Sequence, residues 1–288
     1  MRTLIVSLFM MLSLCDQSFC QTSDSIFIER VLREAPAKVG TLHFARLFLG
    51  CPYVAHTLEV NYVDTFQQKE NDRHETLIVN TRELDCTTLV ENVVALTICH
   101  QHGKNSFRDF CQILQTLRYR QGIMDEYPSR LHYFTDWIVD KQAMGIVKEV
   151  QKEDKPFTAL QTINVNYMSR HPQSYSALRV HPEYVKQIAA QEQVLKGMAF
   201  RYIPKAEVSN TSRLREVIKD GDILAITCSK SGLDIAHLGF AVWHKDGLHL
   251  LNASSIHHKV VEEPMTLRQY LYKHPTHTGI RVIRLVEQ

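Results

Sequence analysis

The chain has no CxxC pair, no HExxH and no run of basic residues, and each absence removes a class of function. Zinc-ribbon and thioredoxin-like chemistry need closely spaced cysteines, so neither has support. The fifteen histidines are scattered. His257-His258 and His274-x-x-His277 fall in polar, loop-like contexts that read as solvated surface, and no metal or other cofactor is expected. Lys+Arg total 33 against 31 Asp+Glu, a formal charge of +2, so no nucleic acid or charged membrane surface is expected as partner. No repeat, low-complexity stretch or convincing linker divides the chain, and no apolar run is long enough to cross a bilayer.

The apolar stretch Leu4 to Leu14 follows Met1-Arg2 and precedes Ser18-Phe19-Cys20. That order reads as a secretory leader over residues 1–20, cleaved before Gln21. Cleavage before Cys15 or Cys20 would instead leave a lipid anchor, but Leu14 and Phe19 are poor fits where a small residue is expected. Residues 21–288 are therefore expected to form a single exported domain, with the periplasm as its compartment. Of the seven cysteines, Cys51, Cys86, Cys99, Cys111 and Cys228 lie beyond the leader. An odd number in an exported protein leaves at least one free thiol or an intermolecular bridge. Their density is too low for a disulfide scaffold, and the length can bury its own core.

One of these thiols is placed for chemistry. Asp85-Cys86-Thr87-Thr88 joins the extended run Leu77–Leu84 to the helix-like run Leu89–Leu96. A cysteine in the first turn of a helix feels the positive end of the backbone dipole and unpaired N–H groups, which favour the thiolate. Asp85 or Thr87 would cap the helix, and the charge of Asp85 would offset part of that gain. The alternative for Cys86 alone is a small buried packing residue.

The spacing predicts helices over 25–39, 42–48, 86–99, 107–120, 133–144 and 182–195, with 75–79 extended and 152–182 mixed loops and short helices. Gly50 is a stop signal for the second helix, and the wide apolar face of the Cys86 helix predicts central packing. After Gly221 the period changes to that of strands: 222–228, a hairpin of 236–243 and 248–253, and 279–286. Helices early and antiparallel strands late predict an α+β domain with helices against one side of a sheet. In the first hairpin strand His237, Gly239, Ala241 and Trp243 share a face, so small residues beside the histidine leave room for something to approach. A lone strand histidine is otherwise a satisfied polar group.

Taken together, Gly50-Cys51-Pro52-Tyr53-Val54-Ala55, Thr57-Leu58-Glu59, Asn80-x-Arg82-Glu83-Leu84-Asp85-Cys86-Thr87-Thr88, the His237 strand and Leu250-Leu251-Asn252-Ala253-Ser254 resemble the NlpC/P60 cysteine peptidases. More narrowly they resemble the DUF1460 branch, described as N-acetylmuramoyl-L-alanine amidase-like. The resemblance implies a papain-like α+β core, with residues of about 100–215 as a large, mostly helical insertion that shapes the substrate groove. It implies Cys86 as nucleophile, His237 as the histidine that holds or takes its proton, and Asn252 as the third residue. Tyr53 and the Cys86 backbone N–H are implied oxyanion donors, and Arg82 and Asn80 candidate substrate contacts, although Arg82 also fits a surface ion pair. His56 departs from the pattern, standing where a glycine is common. The implied reaction is hydrolysis of the N-acetylmuramoyl–L-alanine amide in peptidoglycan-derived muropeptides, without a cofactor. Cleavage between γ-D-glutamate and the diamino acid, and wall binding without catalysis, are the alternatives; papain-like and transglutaminase-like proteins share the Cys–His chemistry but not the Gly-x-Pro-Tyr segment.

Strand register tests the third residue. A two-residue turn at Asp246-Gly247 would set Asn252 opposite Ala241, roughly 13 Å along from His237, and give the diagonal place to Ser254. A four-residue loop, His244 to Gly247, sets Asn252 opposite Gly239 and diagonal to His237, about 7 Å away at Cα. The longer loop is expected.

Overall fold

The computed structural model describes residues 23–59 and 75–286; the expected leader over 1–20 lies outside them. Helix α1 (Ser23–Glu34) buries Ile28, Val31 and Leu32 and ends short of the expected residue 39. Pro36 accounts for that stop, since it lacks an N–H and disfavours helical geometry in the residue before it. Helix α2 (Thr41–Arg46) runs into turns that close at Gly50, whose φ of 87° suits a residue without Cβ. Helix α3 (Cys86–Gln101) is central, with Leu89, Val90, Val93, Val94 and Leu96 all inaccessible to solvent. Helices α4 (Phe107–Arg118) and α5 (Phe134–Ala143) follow. Residues 75–79, expected to be extended, belong to no strand.

The chain then alternates short elements: β1 (Val147–Val150), β2 (Ala159–Thr162), α6 (Tyr167–Arg170), α7 (Ser176–Val180), α8 (Tyr184–Leu195), β3 (Ala199–Pro204) and α9 (Ser212–Val217). It closes with β4 (Ile223–Cys228), β5 (Ile235–Trp243), β6 (Leu248–Ser254), β7 (Lys259–Glu262), α10 (Leu267–Lys273) and β8 (His277–Leu285). The strands form one antiparallel sheet in the order β2-β3-β8-β4-β5-β6-β7, with β1 also on β8. The α+β class expected from the sequence is the one observed.

One part of that expectation is corrected: the sheet is covered on both faces. Helices α1 to α5 pack on Ile223, Ala225, Leu238, Phe240, Val242 and Leu251. Helices α9 and α10 pack on the opposite face, against Leu224, Ile226, Ala241, Leu250 and Val282. The continuous apolar run of β4 is the physical reason, because a strand that turns apolar side chains both ways must be buried on both sides. A third cluster, built on Tyr127, Tyr133, Met168, Leu178 and Ile188, binds the 127–195 segment together.

The hairpin register is the expected one. Trp243 pairs with Leu248 and Phe240 with Leu251, and His244 N–H bonds to the Gly247 carbonyl across a four-residue loop. Continued by one residue, this register sets Asn252 opposite Gly239.

Candidate active site

Cys86 opens α3 behind a complete cap. The Asp85 carboxylate accepts from Thr88 N–H at 2.8 Å, and the Thr88 hydroxyl accepts from Asp85 N–H at 2.9 Å. Asp85, not Thr87, is therefore the capping residue. The thiol is partly buried, and its acidity departs from the sequence-based expectation: burial, then the adjacent charge of Asp85, push it up to about 12. The Leu238 backbone N–H and the Thr87 hydroxyl pull the other way and are outweighed. At rest Cys86 is a thiol.

His237, near the start of β5, is also partly buried, and burial lowers its pKa below the ordinary histidine value. The imidazole is thus neutral at rest. Its Nε2 lies 2.9 Å from Asn252 Oδ1 on β6, and Asn252 is wholly buried. The Asn252 amide nitrogen donates to Glu263 at 3.1 Å. The space beside Gly239 is not open to a ligand: a Cβ there would lie 2.6 Å from the Leu251 carbonyl oxygen and 2.7 Å from a Leu250 methyl. The glycine lets β6 approach, and that approach brings Asn252 to His237.

The Gly50–Tyr53 segment is stitched to the strand-like run before Cys86 and to the loop after β6. Leu84 N–H donates to the Pro52 carbonyl, Val54 N–H to the Leu84 carbonyl, and Tyr53 N–H to the His258 carbonyl, at 3.0–3.1 Å. Burial raises the pKa of the Tyr53 hydroxyl first, followed by the Cys86 sulfur when it is ionised and by the Asp85 carboxylate, so the hydroxyl lies within their field. His56 takes φ 64°, the left-handed conformation that favours glycine, so the loop keeps its course at a strain of about 1 kcal/mol.

Arg82 and Asn80 lie elsewhere. Neither is among the residues lining the cleft at Cys86. The Asn80 side-chain oxygen accepts from Arg82 N–H and Glu83 N–H, both at 3.0 Å, closing the turn that leads into α3. The exposed Arg82 guanidinium is 3.5 Å from the Asp24 carboxylate of α1.

Cys86, Thr87, His237 and Leu238 share a cleft of about 220 Å³. Its other walls come from residues between Tyr127 and Trp137 (Tyr127, Leu131 to Phe134 and Trp137), from Met168 and Tyr175, from Leu233 to Ala236 ahead of His237, and from His56 and Glu59 of the loop after Tyr53. Beneath them Arg130 pairs with Glu75 at 2.8 Å and Glu59 at 2.9 Å, and lies over the Tyr127 ring at 5.0 Å. His132 bonds to the Tyr127 carbonyl at 3.0 Å, and burial together with Arg130 lowers its pKa to about 3. The cleft is therefore stiff, aromatic and carries a neutral histidine. Among the described residues no group of three or more His, Cys, Asp or Glu is arranged to hold a metal, all five cysteines are free, and no helix is long and apolar enough to cross a membrane.

Over residues 43–280 the chain matches the AmiA-like family, described as N-acetylmuramoyl-L-alanine amidase-like. It belongs to that family. An N-acetylmuramoyl-L-alanine amidase from Bacteroides uniformis ATCC 8492 is 40% identical to this AmiA-like chain; the match covers 85% of this chain and 97% of that one, with a TM-score of 0.76. A putative xylanase from Bacteroides fragilis is also 40% identical over 85% of this chain and all of its own, with a TM-score of 0.75. A Legionella pneumophila protein assigned to DUF1460 is 23% identical with a TM-score of 0.67 over 91% of this chain and 94% of its own, and shares the fold. No curated protein matches.

Sequence reasoning missed several groups that the AmiA-like fold brings to this site. Glu263, Tyr270 of α10, and the cleft residues Tyr127, Tyr133 and Tyr175 carry no local motif. The Tyr270 ring lies 6.4 Å from the His237 ring. Only the polar Glu262-Glu263-Pro264 at the end of the unrecognised β7 could have drawn attention.

Proposed function

We propose that the protein is a secreted cysteine amidase that hydrolyses the bond between N-acetylmuramic acid and L-alanine in muropeptides. The observation that carries this reading is the grouping of Cys86, Leu238 and His237 at one cleft, with Asn252 bonded to His237 behind it, in a chain of the AmiA-like family. As the Cys86 sulfur attacks the lactyl carbonyl, its proton passes to the free nitrogen of His237. The Cys86 N–H and the Tyr53 hydroxyl receive the oxyanion. His237 then gives the proton to the departing L-alanine amine, leaving a muramoyl thioester on Cys86. Water, deprotonated by His237, releases the sugar acid and restores the thiol. Asn252 holds the imidazole throughout.

The papain-like NlpC/P60 core, residues 21–288 as one catalytic domain and residues 100–215 as its insertion belong to the same reading. The walls contributed by Tyr127 to Trp137, Met168 and Tyr175 support a groove made by that insertion. The leader over 1–20 assigns the protein to export, into the periplasm. Asn80 and Arg82 are assigned to the shape of the turn before Cys86, on the bonds they make there. The xylanase name of one relative finds no counterpart in the cleft. Glycoside hydrolysis needs two available carboxyl groups. Glu59 is engaged by Arg130 and Ser176, and Asp234 accepts from Thr135 N–H at 2.7 Å.

The test is mass spectrometry of a disaccharide-tetrapeptide incubated with the protein beside Cys86→Ala. Free tetrapeptide from the wild type alone is expected. Cleavage within the stem would make it an endopeptidase, and an intact substrate would leave wall binding.

A further inference from the structure

We propose that Glu263 is a positioning residue: its buried carboxylate fixes the amide of Asn252 and, through it, the tautomer of His237. The inference rests on the cysteine amidase reading.

An asparagine amide is pseudo-symmetric and can turn either its oxygen or its NH2 toward a histidine. Asn252 has an acceptor on its far side that decides the matter. Glu263, the residue after β7, places Oε1 3.1 Å from Asn252 Nδ2. A carboxylate only accepts, so the NH2 must face Glu263 and Oδ1 must face His237 Nε2, at 2.9 Å. Oδ1 also only accepts, so Nε2 carries the imidazole proton. The other ring nitrogen then holds the lone pair that receives the thiol proton. Turned over, the amide would offer N–H to Nε2 and stabilise the tautomer that has no base toward Cys86.

The setting of Glu263 is that of a fixed part. Its backbone N–H donates to the Leu250 carbonyl at 2.9 Å, and its own carbonyl faces His249 Nδ1 at 2.8 Å, so β6 holds both ends. Its side chain is 2% exposed, and its second oxygen lies 3.2 Å from Nε2 of the part-exposed His257. Burying a carboxylate is costly without a strong cation. The buried acids Glu75, Glu91 and Glu149 each have an arginine, while Glu192 is held by the Tyr133 hydroxyl and the Ser169 N–H. Among the described residues Glu263 has instead an amide and a histidine. Its negative charge also acts on His237, favouring the imidazolium that forms during attack, and on Tyr270.

The experiment is a cycle of Glu263→Gln and Asn252→Ala, read by steady-state kinetics and by iodoacetamide alkylation of Cys86 located by peptide mass spectrometry. The isosteric glutamine removes the charge and can itself turn over, so it releases the amide. We expect kcat and Cys86 alkylation to fall about tenfold, with KM unchanged. In the Asn252→Ala background the same change has no more than about a twofold effect. Nitrogen-15 NMR of the imidazole is expected to show His237 protonated at Nε2 in the wild type and a mixture in Glu263→Gln. An equal loss in both backgrounds, or a wild-type imidazole protonated at Nδ1, overturns the proposal. Should the variant not fold, the wild-type tautomer decides it alone. Alkylation and NMR need no substrate, so absence of muropeptide turnover would sink the amidase reading and leave this inference separately decided.

Discussion

Cys86 stands in two opposing influences, and their balance sets its resting state. The first turn of α3 offers N–H groups and a positive dipole end, but the cap occupies the Thr88 N–H and puts a carboxylate beside the sulfur. Burial by α3 and β5 then costs the thiolate more than those donors return, and the thiol is pushed up to about 12. The two causes separate in Asp85→Asn. Asparagine caps as well as aspartate, so stability should change by less than about 0.5 kcal/mol. With the negative charge gone the Cys86 pKa should fall, and iodoacetamide at pH 8 should alkylate Cys86 faster; an unchanged or slower rate would contradict this account. The cysteine and its cap were legible because they are contiguous in the chain. The direction of the thiol shift was not, because β5, which supplies Leu238 beside the sulfur, is remote in sequence. Asn80 and Arg82 were legible only as members of a motif, and their own bonds give them to the turn.

At the level of elements, the β5–β6 hairpin carries the geometry that matters. A four-residue loop sets the register, Gly239 sets the spacing, and together they bring Asn252 within 2.9 Å of His237. A methyl group at Gly239 would meet backbone, which cannot rotate away. Gly239→Ala should therefore separate the strands at this point. We expect a stability loss of about 1–3 kcal/mol in urea unfolding, together with loss of activity. A variant with wild-type stability and turnover would mean the strands close without the glycine. The hairpin was readable from its alternation and polar loop. Strands β1, β2, β3 and β7 were not: β1, β2 and β7 are four residues each with polar members, and the pairing of β1 with β8 and of β2 with β3 is decided from far along the chain. Helix α10 was missed for a similar reason. Its seven residues carry too little period, although Thr266 and Gln269 form a capping box.

Across the whole molecule, neutral histidines couple stability to pH. Burial lowers His132 to about 3 and His277 to about 4, and lowers His237 as well. In the unfolded chain each titrates near 6.5, so the unfolded state binds protons first as pH falls. Their contribution to stability is complete above pH 6.5 and is lost progressively toward pH 4. Glu91, raised by burial, acts with the opposite sign. His277 is 7% exposed; His274, His237 and Lys205 all disfavour its charge, and the Tyr270 ring stands 5.9 Å away. Its share alone is on the order of 3 kcal/mol by pH 4. Urea unfolding from pH 7.5 to 4.5 should therefore show a steep loss of stability, and His277→Leu should flatten it. Equal slopes in the two proteins would remove His277 as a source. Because His237 belongs to the same cluster, acid should protonate this proposed base and undo the fold over overlapping ranges. Cys86 alkylation at pH values where the fold is still intact separates them: a fall there belongs to His237, and a fall that follows unfolding belongs to the cluster as a whole.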